Sequence, residues 1–256
     1  MPGDDTGSTL RLVLAHGFTQ TARSWTVFER LIADRLPGTR TVTVDLPGHG
    51  DARCPADLDL WESARHLVDI GRTGSYVGYS MGGRVALHAA LVVPERVERL
   101  ILIGATAGID DPDERRARRE SDEQLARRIE TIGVPAFVDE WLTNPLFAGL
   151  DEATAMRSDR LRNTALGLAA SLRATGTGTQ TPLWGRLGEI GCPVLVLAGE
   201  RDTKFTELGE RLGDGLPRAD LVVVPDAGHS VHLEQPDATA TAIATWIRTH
   251  PTTELR

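Results

Sequence analysis

The stretch Gly78-Tyr79-Ser80-Met81-Gly82-Gly83-Arg84 decides how this chain folds. It follows the short apolar run Tyr76-Val77 and leads into a helical pattern that continues to about Val93. Its Gly-x-Ser-x-Gly core is typical of a sharp strand-to-helix turn that exposes a serine hydroxyl at its tip. A chain with 26 glycines can contain this pattern by chance. A catalytic Ser80 therefore requires a base, an acid and an oxyanion hole elsewhere.

Composition favours one large domain, or a domain with one insertion. The chain has 256 residues, of which 41% are hydrophobic, so it can bury a sizeable core. Its formal charge of −8 disfavours a nucleic-acid partner. The acidic N-terminus lacks an apolar leader, and no run approaches the roughly 18 apolar residues of a membrane span, so we expect a cytoplasmic protein without a membrane partner. Cys54 and Cys192 lack metal-ligand spacing, and we expect no metal site.

Alternating strand and helix patterns predict a doubly wound, mostly parallel α/β sheet. The predicted strands are Leu10–Ala15, Thr41–Val44, Ser75–Tyr79, Arg99–Gly104, Cys192–Gly199 and Leu221–Pro225. From Ala105 to about Gly188 the pattern is helical only, and it includes a long helix predicted from Ala153 to Ala174. We therefore expect a helical cap, residues 106–185, inserted into a core formed by residues 1–105 and 186–256.

Loops after two later strands supply the partners that Ser80 needs. A serine hydroxyl becomes reactive when a histidine takes its proton and a carboxylate orients that histidine. Asp202 follows the fifth predicted strand and His229 follows the sixth, which gives the chain order serine, acid, histidine. Glu200 is an alternative acid, although it follows its strand very closely. His232 is an alternative base, although a packing or surface role suits it better.

An oxyanion hole is expected beside Ser80. One donor in this kind of turn is the backbone N–H of the residue after the serine, which is Met81, and the second comes from the loop after the first central strand. That loop is His16-Gly17-Phe18, so Phe18 is the predicted second donor. Gly17 either allows a close approach of the backbone or is a plain turn glycine.

Four segments together resemble the α/β-hydrolase superfamily over nearly the whole chain. They are the serine turn, His16-Gly17-Phe18, Asp45-Leu46-Pro47-Gly48-His49-Gly50 and Ala227-Gly228-His229. The resemblance implies that the cap follows the strand equivalent to the sixth of that superfamily. Only about nine residues precede the first predicted strand, so the antiparallel edge strands usual in the superfamily are expected to be short or missing.

Further segments resemble one narrower family, the 2-succinyl-6-hydroxy-2,4-cyclohexadiene-1-carboxylate synthases of menaquinone biosynthesis. They are the serine turn with Arg84, Trp141 with Pro145-Leu146-Phe147, Arg162-Asn163, Gly178-Thr179-Gln180 and Gly199-Glu200-Arg201-Asp202-Thr203-Lys204-Phe205. The resemblance implies a lyase that removes pyruvate from 2-succinyl-5-enolpyruvyl-6-hydroxy-3-cyclohexene-1-carboxylate, with Ser80 as base and without a metal or organic cofactor. A serine esterase or carbon–carbon hydrolase with the same triad is the alternative. A non-catalytic binding protein on the same fold is a third hypothesis.

The implied substrate is a small-molecule polycarboxylate, for which arginine side chains are well suited. Arg84 lies one helical turn after Ser80 on the same face, where it either binds the substrate or forms a salt bridge with a loop. Arg118 and Arg162 match positions where the family carries substrate-binding arginines. Arg118 also lies in an arginine cluster that could be a solvated helix face, whereas Arg162 is predicted on an apolar helix, where it needs a partner.

Three other residues are candidate substrate ligands. Lys204 is the only lysine among 28 basic residues, and it lies two positions after the predicted acid. Trp141 either lines the pocket or packs the cap. Tyr79 either donates a hydrogen bond or packs under the sheet. For the assembly state we expect a monomer or a weak homo-oligomer.

Overall fold

The computed structural model describes residues 10–55 and 58–251. Within these residues one sheet contains six strands, all parallel, in the order β2-β1-β3-β4-β5-β6. The strands are β1 Arg11–Ala15, β2 Arg40–Val44, β3 Gly74–Tyr79, β4 Val97–Ile103, β5 Val194–Gly199 and β6 Ala219–Val224. All six predicted strands are present, with ends within two residues of the prediction. The prediction about edge strands before β1 concerns residues 1–9, which lie outside the described residues.

Helices connect the strands and cover both faces of the sheet. They are α1 Thr26–Arg35, α2 Leu60–Gly71, α3 Met81–Val92, α4 Pro112–Leu142, α5 Arg157–Arg160, α6 Ala165–Thr175, α7 Thr203–Gly215, α8 Val231–Glu234 and α9 Pro236–Thr249. Short 3-10 helices lie at Ala22–Trp25, Pro94–Arg96, Pro145–Phe147 and Trp184–Glu189. None of the helices described is long and apolar enough to cross a membrane.

Two apolar cores lie on opposite faces of the sheet. In β1, Val13 packs with α2, α3 and α7 on one face, whereas Leu14 packs with α1 and α9 on the other. Successive side chains of a strand point to opposite faces, so a strand that is apolar throughout is buried on both sides. The predicted doubly wound parallel sheet is therefore confirmed.

The turn between β3 and α3 requires its glycines. Ser80 lies in the left-handed region with φ 50° and ψ −107°, a strained conformation for a residue with a side chain. A Cβ atom at Gly78 would lie 2.4 Å from the carbonyl oxygen of Gly82, and one at Gly82 would lie 2.2 Å from that of Ala15. Glycines on both sides of the serine thus allow the helix to approach the strands and leave the Ser80 hydroxyl at the carboxyl edge of the sheet.

The segment between β4 and β5 is helical, and the structure describes all of its residues. Its own apolar cluster joins α4 to α6 and includes Phe137 and Leu168. A kink in α4 occurs at Gly133, whose φ is 76°, shortly before Pro135. The helix predicted from Ala153 to Ala174 is wrong, because α5 ends at Arg160 and α6 begins at Ala165. Thr164 caps α6 by accepting a hydrogen bond from a backbone N–H, and such caps begin a new helix instead of continuing an old one.

Candidate active site

Three side chains from separate loops form a hydrogen-bonded chain at the carboxyl edge of the sheet. The Nε2 atom of His229 lies 3.2 Å from Oγ of Ser80, and its Nδ1 atom lies 2.8 Å from Oδ2 of Asp202. His229 and Asp202 are buried. Asp202 also accepts a hydrogen bond from the N–H of Phe205 at the start of α7. This is the geometry in which a histidine accepts the serine proton while a carboxylate orients the ring.

The loop that carries His229 is held by a carboxylate that the sequence analysis did not single out. The two carboxylate oxygens of Glu234 accept the N–H groups of Gly228 and Ser230, at 2.7 and 2.9 Å. These are the two residues on either side of His229. Glu234 belongs to no sequence motif that would indicate this role. The chain turns into α8 after Ser230, and this turn places the carboxylate of Glu234 beside the His229 loop.

The alternative acid and base lie elsewhere. Glu200 is exposed, and its carboxylate accepts the N–H of Asp226. His232 is fully buried between the rings of Trp25 and Tyr79, with centroid distances of 4.5 and 4.4 Å. Burial lowers the pKa of His232 to about 3, so this ring is a neutral packing group.

Phe18 and Met81, whose N–H groups are the predicted oxyanion donors, both line the cavity beside Ser80. Met81 is the first residue of α3, so its N–H has no acceptor within the helix. Phe18 belongs to residues 16–21 after β1, which we call the oxyanion loop. The N–H of Leu46 donates to Nε2 of His16, so the proton of this imidazole is on Nδ1, which donates to the Gly17 carbonyl. Gly17 in turn donates its N–H to the side chain of Gln20.

A cavity of about 320 Å³ opens above Ser80 and is bounded on its far side by α4, α6 and the Pro145–Phe147 turn. Among the described residues, four basic side chains and no acidic side chain line it; the four are Arg84, Arg118, Arg160 and Lys204. The chain as a whole carries a net charge of −8, so this concentration of positive charge is local. Such a cavity favours an anionic ligand.

Arg84 is a buried cation on α3, the helix that follows Ser80. Its Nη1 atom donates to the carbonyl of Thr175 at 2.7 Å and to the side chain of Gln180 at 3.3 Å. Burial lowers the pKa of Arg84 to about 10, so the guanidinium stays charged at neutral pH. Within the described residues its hydrogen-bond partners are neutral, and no acidic side chain forms a salt bridge with it.

Arg118 reaches the cavity from α4 and is oriented by a buried carboxylate. Its Nε atom donates to Oδ1 of Asp122 at 2.7 Å, one helical turn later. The other oxygen of Asp122 accepts the N–H of Gly178 at 3.3 Å. Its neighbour Arg116 instead forms an exposed salt bridge with Asp113. The arginine cluster of α4 therefore divides into residues on a solvated face and one residue, Arg118, at the cavity.

The helix predicted to carry Arg162 is interrupted at this residue. This residue lies in the turn between α5 and α6, does not line the cavity, and has Asp51 as an ion-pair partner at 3.9 Å. Arg160 lines the cavity instead. It is 1% exposed and donates to Oγ1 of Thr19 and to the carbonyl of Ala155. Its Nη2 atom is buried and has no partner within residues 10–55 and 58–251. Arg160 could not be singled out from the sequence, because its position at the cavity depends on the break between α5 and α6.

The remaining predicted ligands surround the same cavity. Tyr79 lines the cavity beside His229, and its hydroxyl is 2.8 Å from the hydroxyl of Ser230. It is also buried in the apolar core that contains Trp25, so the two predicted alternatives both describe this residue. Trp141 lines the cavity and contacts the rings of Phe18 and Phe147. Its indole N–H is buried and has no acceptor among the residues that the structure describes. Lys204 lines the opposite wall, next to Phe205.

No group of three or more histidine, cysteine, aspartate or glutamate side chains in residues 10–55 and 58–251 is arranged to hold a metal ion. The positive charge of the cavity comes instead from its arginine and lysine side chains, which suit carboxylate groups of a ligand.

Comparison with known proteins assigns the chain to a family. Residues 12–242 match the model of the alpha/beta hydrolase family. An Enterobacter protein named 2-succinyl-6-hydroxy-2,4-cyclohexadiene-1-carboxylate synthase is 34% identical over 93% of this chain and 91% of its own length. A Bacillus subtilis protein that carries this name provisionally is 39% identical over 88% of this chain and 85% of its own. The chain belongs to this synthase family of the alpha/beta hydrolases. The predicted family is thus confirmed.

Solved structures agree with membership of the synthase family. The structure of MenH from Staphylococcus aureus superposes with a TM-score of 0.87 and 29% sequence identity, and the match covers 96% of each chain. A thermophilic esterase from Thermogutta terrifontis superposes with a TM-score of 0.81 and 26% identity over 96% of this chain and 92% of its own. MenH and an esterase thus share this fold.

Proposed function

We propose that this protein is a lyase that eliminates pyruvate from 2-succinyl-5-enolpyruvyl-6-hydroxy-3-cyclohexene-1-carboxylate and leaves 2-succinyl-6-hydroxy-2,4-cyclohexadiene-1-carboxylate, in menaquinone biosynthesis. The names of its relatives support this reaction. The observation that carries the proposal is the cavity above Ser80, which four basic side chains and no acidic side chain line in the part of the chain described. A substrate with several carboxylates fits this charge, whereas a neutral ester does not require it.

In the proposed mechanism Ser80 is the base, and no water is consumed. His229 accepts the hydroxyl proton of Ser80 through the 3.2 Å contact while the serine oxygen takes a proton from the substrate ring. The electron pair of the carbon–hydrogen bond at ring carbon 2 forms a double bond to carbon 3, and the existing double bond shifts from carbons 3 and 4 to carbons 4 and 5. The bond between carbon 5 and the enolpyruvyl oxygen breaks and leaves its electron pair on that oxygen. Pyruvate leaves as its enolate and receives one proton, so the substrate divides into two products with all atoms accounted for.

The negative charge that develops during this step needs donors already in position. We propose that the N–H groups of Phe18 and Met81 hold this charge, because donors fixed before the reaction cost no reorganisation in the transition state. Asp202 keeps the ring of His229 oriented and stabilises it when protonated. Arg84, Arg118, Arg160 and Lys204 are proposed to bind the substrate carboxylates, with Tyr79 and Trp141 completing the pocket.

Residues 106–185 are proposed to act as a cap on the core formed by residues 1–105 and 186–256. The cap would supply Arg118, Trp141 and Arg160 to the cavity, whereas the core would supply the triad and Lys204. An enclosed site excludes water, and the exclusion strengthens each charge–charge contact with the substrate.

A pyruvate-release assay tests the proposed reaction. Purified protein is mixed with the enolpyruvyl substrate, and pyruvate is followed by a coupled lactate dehydrogenase. The wild-type protein is expected to release one pyruvate per substrate, and Ser80→Ala is expected to abolish release. Ser63→Ala is the matched control, because Ser63 is a buried serine of α2 whose hydroxyl donates to the Asp59 carbonyl, away from the cavity. A wild-type protein that releases no pyruvate overturns the proposal.

A serine esterase or carbon–carbon hydrolase is the second candidate. The likeness to the Thermogutta terrifontis esterase supports it, because the same fold carries an esterase-named protein. In that case Ser80 would attack a carbonyl carbon and form a covalent acyl intermediate. Hydrolysis of p-nitrophenyl acetate that is faster than pyruvate release, together with an acylated Ser80 trapped during turnover, would favour the hydrolase.

We propose that the reaction takes place in the cytoplasm. We also propose that the protein is a monomer or a weak homo-oligomer that acts on a small molecule. Cys54 and Cys192 are free thiols, which suits a reducing compartment. Light scattering on the purified protein at several concentrations measures the assembly state. A mass of twice the 27.7 kDa chain at all concentrations would show a stable dimer and contradict the proposal.

A further inference from the structure

The oxyanion loop contains a backbone conformation that the sequence disfavours. Thr19, the residue after the proposed donor Phe18, has a φ of 69°. Threonine is branched at Cβ, and such residues rarely adopt positive φ because Cβ then crowds the backbone. An isolated loop would relax to negative φ and thereby rotate the backbone next to Phe18. Contacts from elsewhere in the fold must therefore hold Thr19.

Those contacts come from one short stretch of the cap, residues 159–163. The Nδ2 atom of Asn163 donates to the carbonyl of Thr19 at 2.6 Å, and Arg160 donates to the Thr19 hydroxyl. Asp159 accepts both the N–H of Thr21, at 3.0 Å, and the Thr21 hydroxyl. All five residues are buried. The oxyanion loop and this stretch of the cap are therefore one hydrogen-bonded unit.

Asn163 is the member of this unit that contacts backbone only. Its Oδ1 atom accepts the N–H of Gly50 at 2.9 Å, while Nδ2 donates to the carbonyls of Thr19 and Arg160. It is 6% exposed and does not line the cavity. A substrate in the cavity would therefore not touch Asn163, and the residue can influence the reaction only through its backbone partners, which are Thr19 in the oxyanion loop, Gly50 and Arg160.

We propose that Asn163 is a positioning residue of the oxyanion hole, which fixes the strained Thr19 and thereby aims the N–H of Phe18 at the reacting centre. This inference rests on the proposed function of Phe18. Oxyanion donors act because they are aimed before charge develops, and a misplacement of about 1 Å in a catalytic site can lower the rate about 100-fold. The cap thus contributes to the chemical step as well as to substrate binding.

Asn163→Asp tests this positioning role. Aspartate is the same size and keeps an acceptor for the N–H of Gly50, but it places a carboxylate oxygen against the Thr19 carbonyl, where a donor is needed. We expect kcat to fall about 10-fold to 100-fold while KM stays within about twofold, because only the transition-state contact is lost. Thr21→Val is a second variant that removes the hydroxyl bonded to Asp159 without changing side-chain size. Like Asn163→Asp, it is expected to lower kcat and to leave KM unchanged.

Thr164→Ala is the matched control. Thr164 is the next residue of the same stretch, but its side chain caps α6 at the N–H of Gly167 instead of reaching the oxyanion loop. This variant loosens the cap locally, so it is expected to lower the melting temperature and leave kcat near the wild-type value. An unchanged kcat in Asn163→Asp, a rise in KM alone, or an equal fall of kcat in Thr164→Ala would each overturn the inference.

The same variants distinguish a failure of the positioning role of Asn163 from a failure of the proposed lyase reaction. If the wild-type protein releases no pyruvate, the lyase proposal fails, and the variants are then compared on p-nitrophenyl acetate, whose hydrolysis also needs oxyanion donors. A selective loss of ester kcat in Asn163→Asp supports the positioning role without the lyase. Equal ester rates in all variants, or a wild-type protein inactive on both substrates, overturn it.

Discussion

The Nδ1 atom of His229 lies 2.8 Å from Oδ2 of Asp202, and this contact determines which nitrogen of the imidazole faces Ser80. A carboxylate accepts the Nδ1 proton and leaves the Nε2 lone pair free to take the serine proton. In Asp202→Asn the side-chain amide can donate to Nδ1 and so favour the opposite tautomer. We expect kcat for pyruvate release to fall by about 10³ to 10⁴, with little change in KM.

Glu200→Gln is the control for that prediction. Glu200 follows the same strand as Asp202, but its carboxylate accepts only the exposed N–H of Asp226. Its amide variant can still accept that N–H, so kcat is expected to stay within about twofold of the wild-type value. A large loss in Glu200→Gln, with activity retained in Asp202→Asn, would make Glu200 the acid of the triad.

Two arginines separated by one residue are expected to behave differently. Arg160→Gln removes a buried cation from the cavity wall, so kcat/KM should fall about 10-fold to 100-fold through the loss of a charged hydrogen bond to the substrate. Arg162→Gln removes a long 3.9 Å ion pair with the exposed Asp51 and should leave both kcat and KM nearly unchanged. The reverse result would mean that Arg162, as the family resemblance predicted, binds the substrate.

A second pair of variants tests which arginine of the α4 cluster binds the substrate. Arg118→Ala should raise KM about 10-fold, because Asp122 holds this guanidinium at the cavity and the variant loses its charged contact with a substrate carboxylate. Arg116→Ala removes an exposed pair with Asp113 and should change neither parameter. Steady-state kinetics of the two variants at one ionic strength is the measurement. Equal KM values would assign Arg118 to the solvated face of the helix.

The sheet and the order of its loops could be predicted because the deciding signals are local. A short apolar run bounded by glycine or by a polar loop indicates a buried parallel strand wherever it occurs, and the carboxyl ends of such strands lie at one edge. Asp202 and His229 follow two of these strands directly. Their positions relative to Ser80 therefore follow from topology alone, without knowledge of any side-chain contact.

The helical segment between β4 and β5 could be predicted less well because its signals depend on distant contacts. Sequence periodicity gave one helix through Arg162, whereas Thr164 begins a new helix and Asn163 binds the oxyanion loop. A break of this kind is stabilised by partners about 110 to 145 positions earlier in the chain, and no local pattern contains them. Glu234 was missed for a related reason, since its role depends on the path of the chain through α8.

Buried histidines should make stability depend on pH, and His88 is the one best suited to a test. Burial lowers the pKa of His88 to about 4. The unfolded chain, with a histidine pKa of about 6.5, therefore binds more protons than the folded chain between these pH values, so stability is lost as pH falls. From pH 7.5 to 5 this residue alone should lower the free energy of unfolding by about 2 kcal/mol, measured by urea denaturation. His88→Leu should reduce the loss by that amount, whereas His66→Leu, at a partly exposed position of α2, serves as control. An identical loss in His88→Leu and wild type would show that His88 titrates normally in the folded protein.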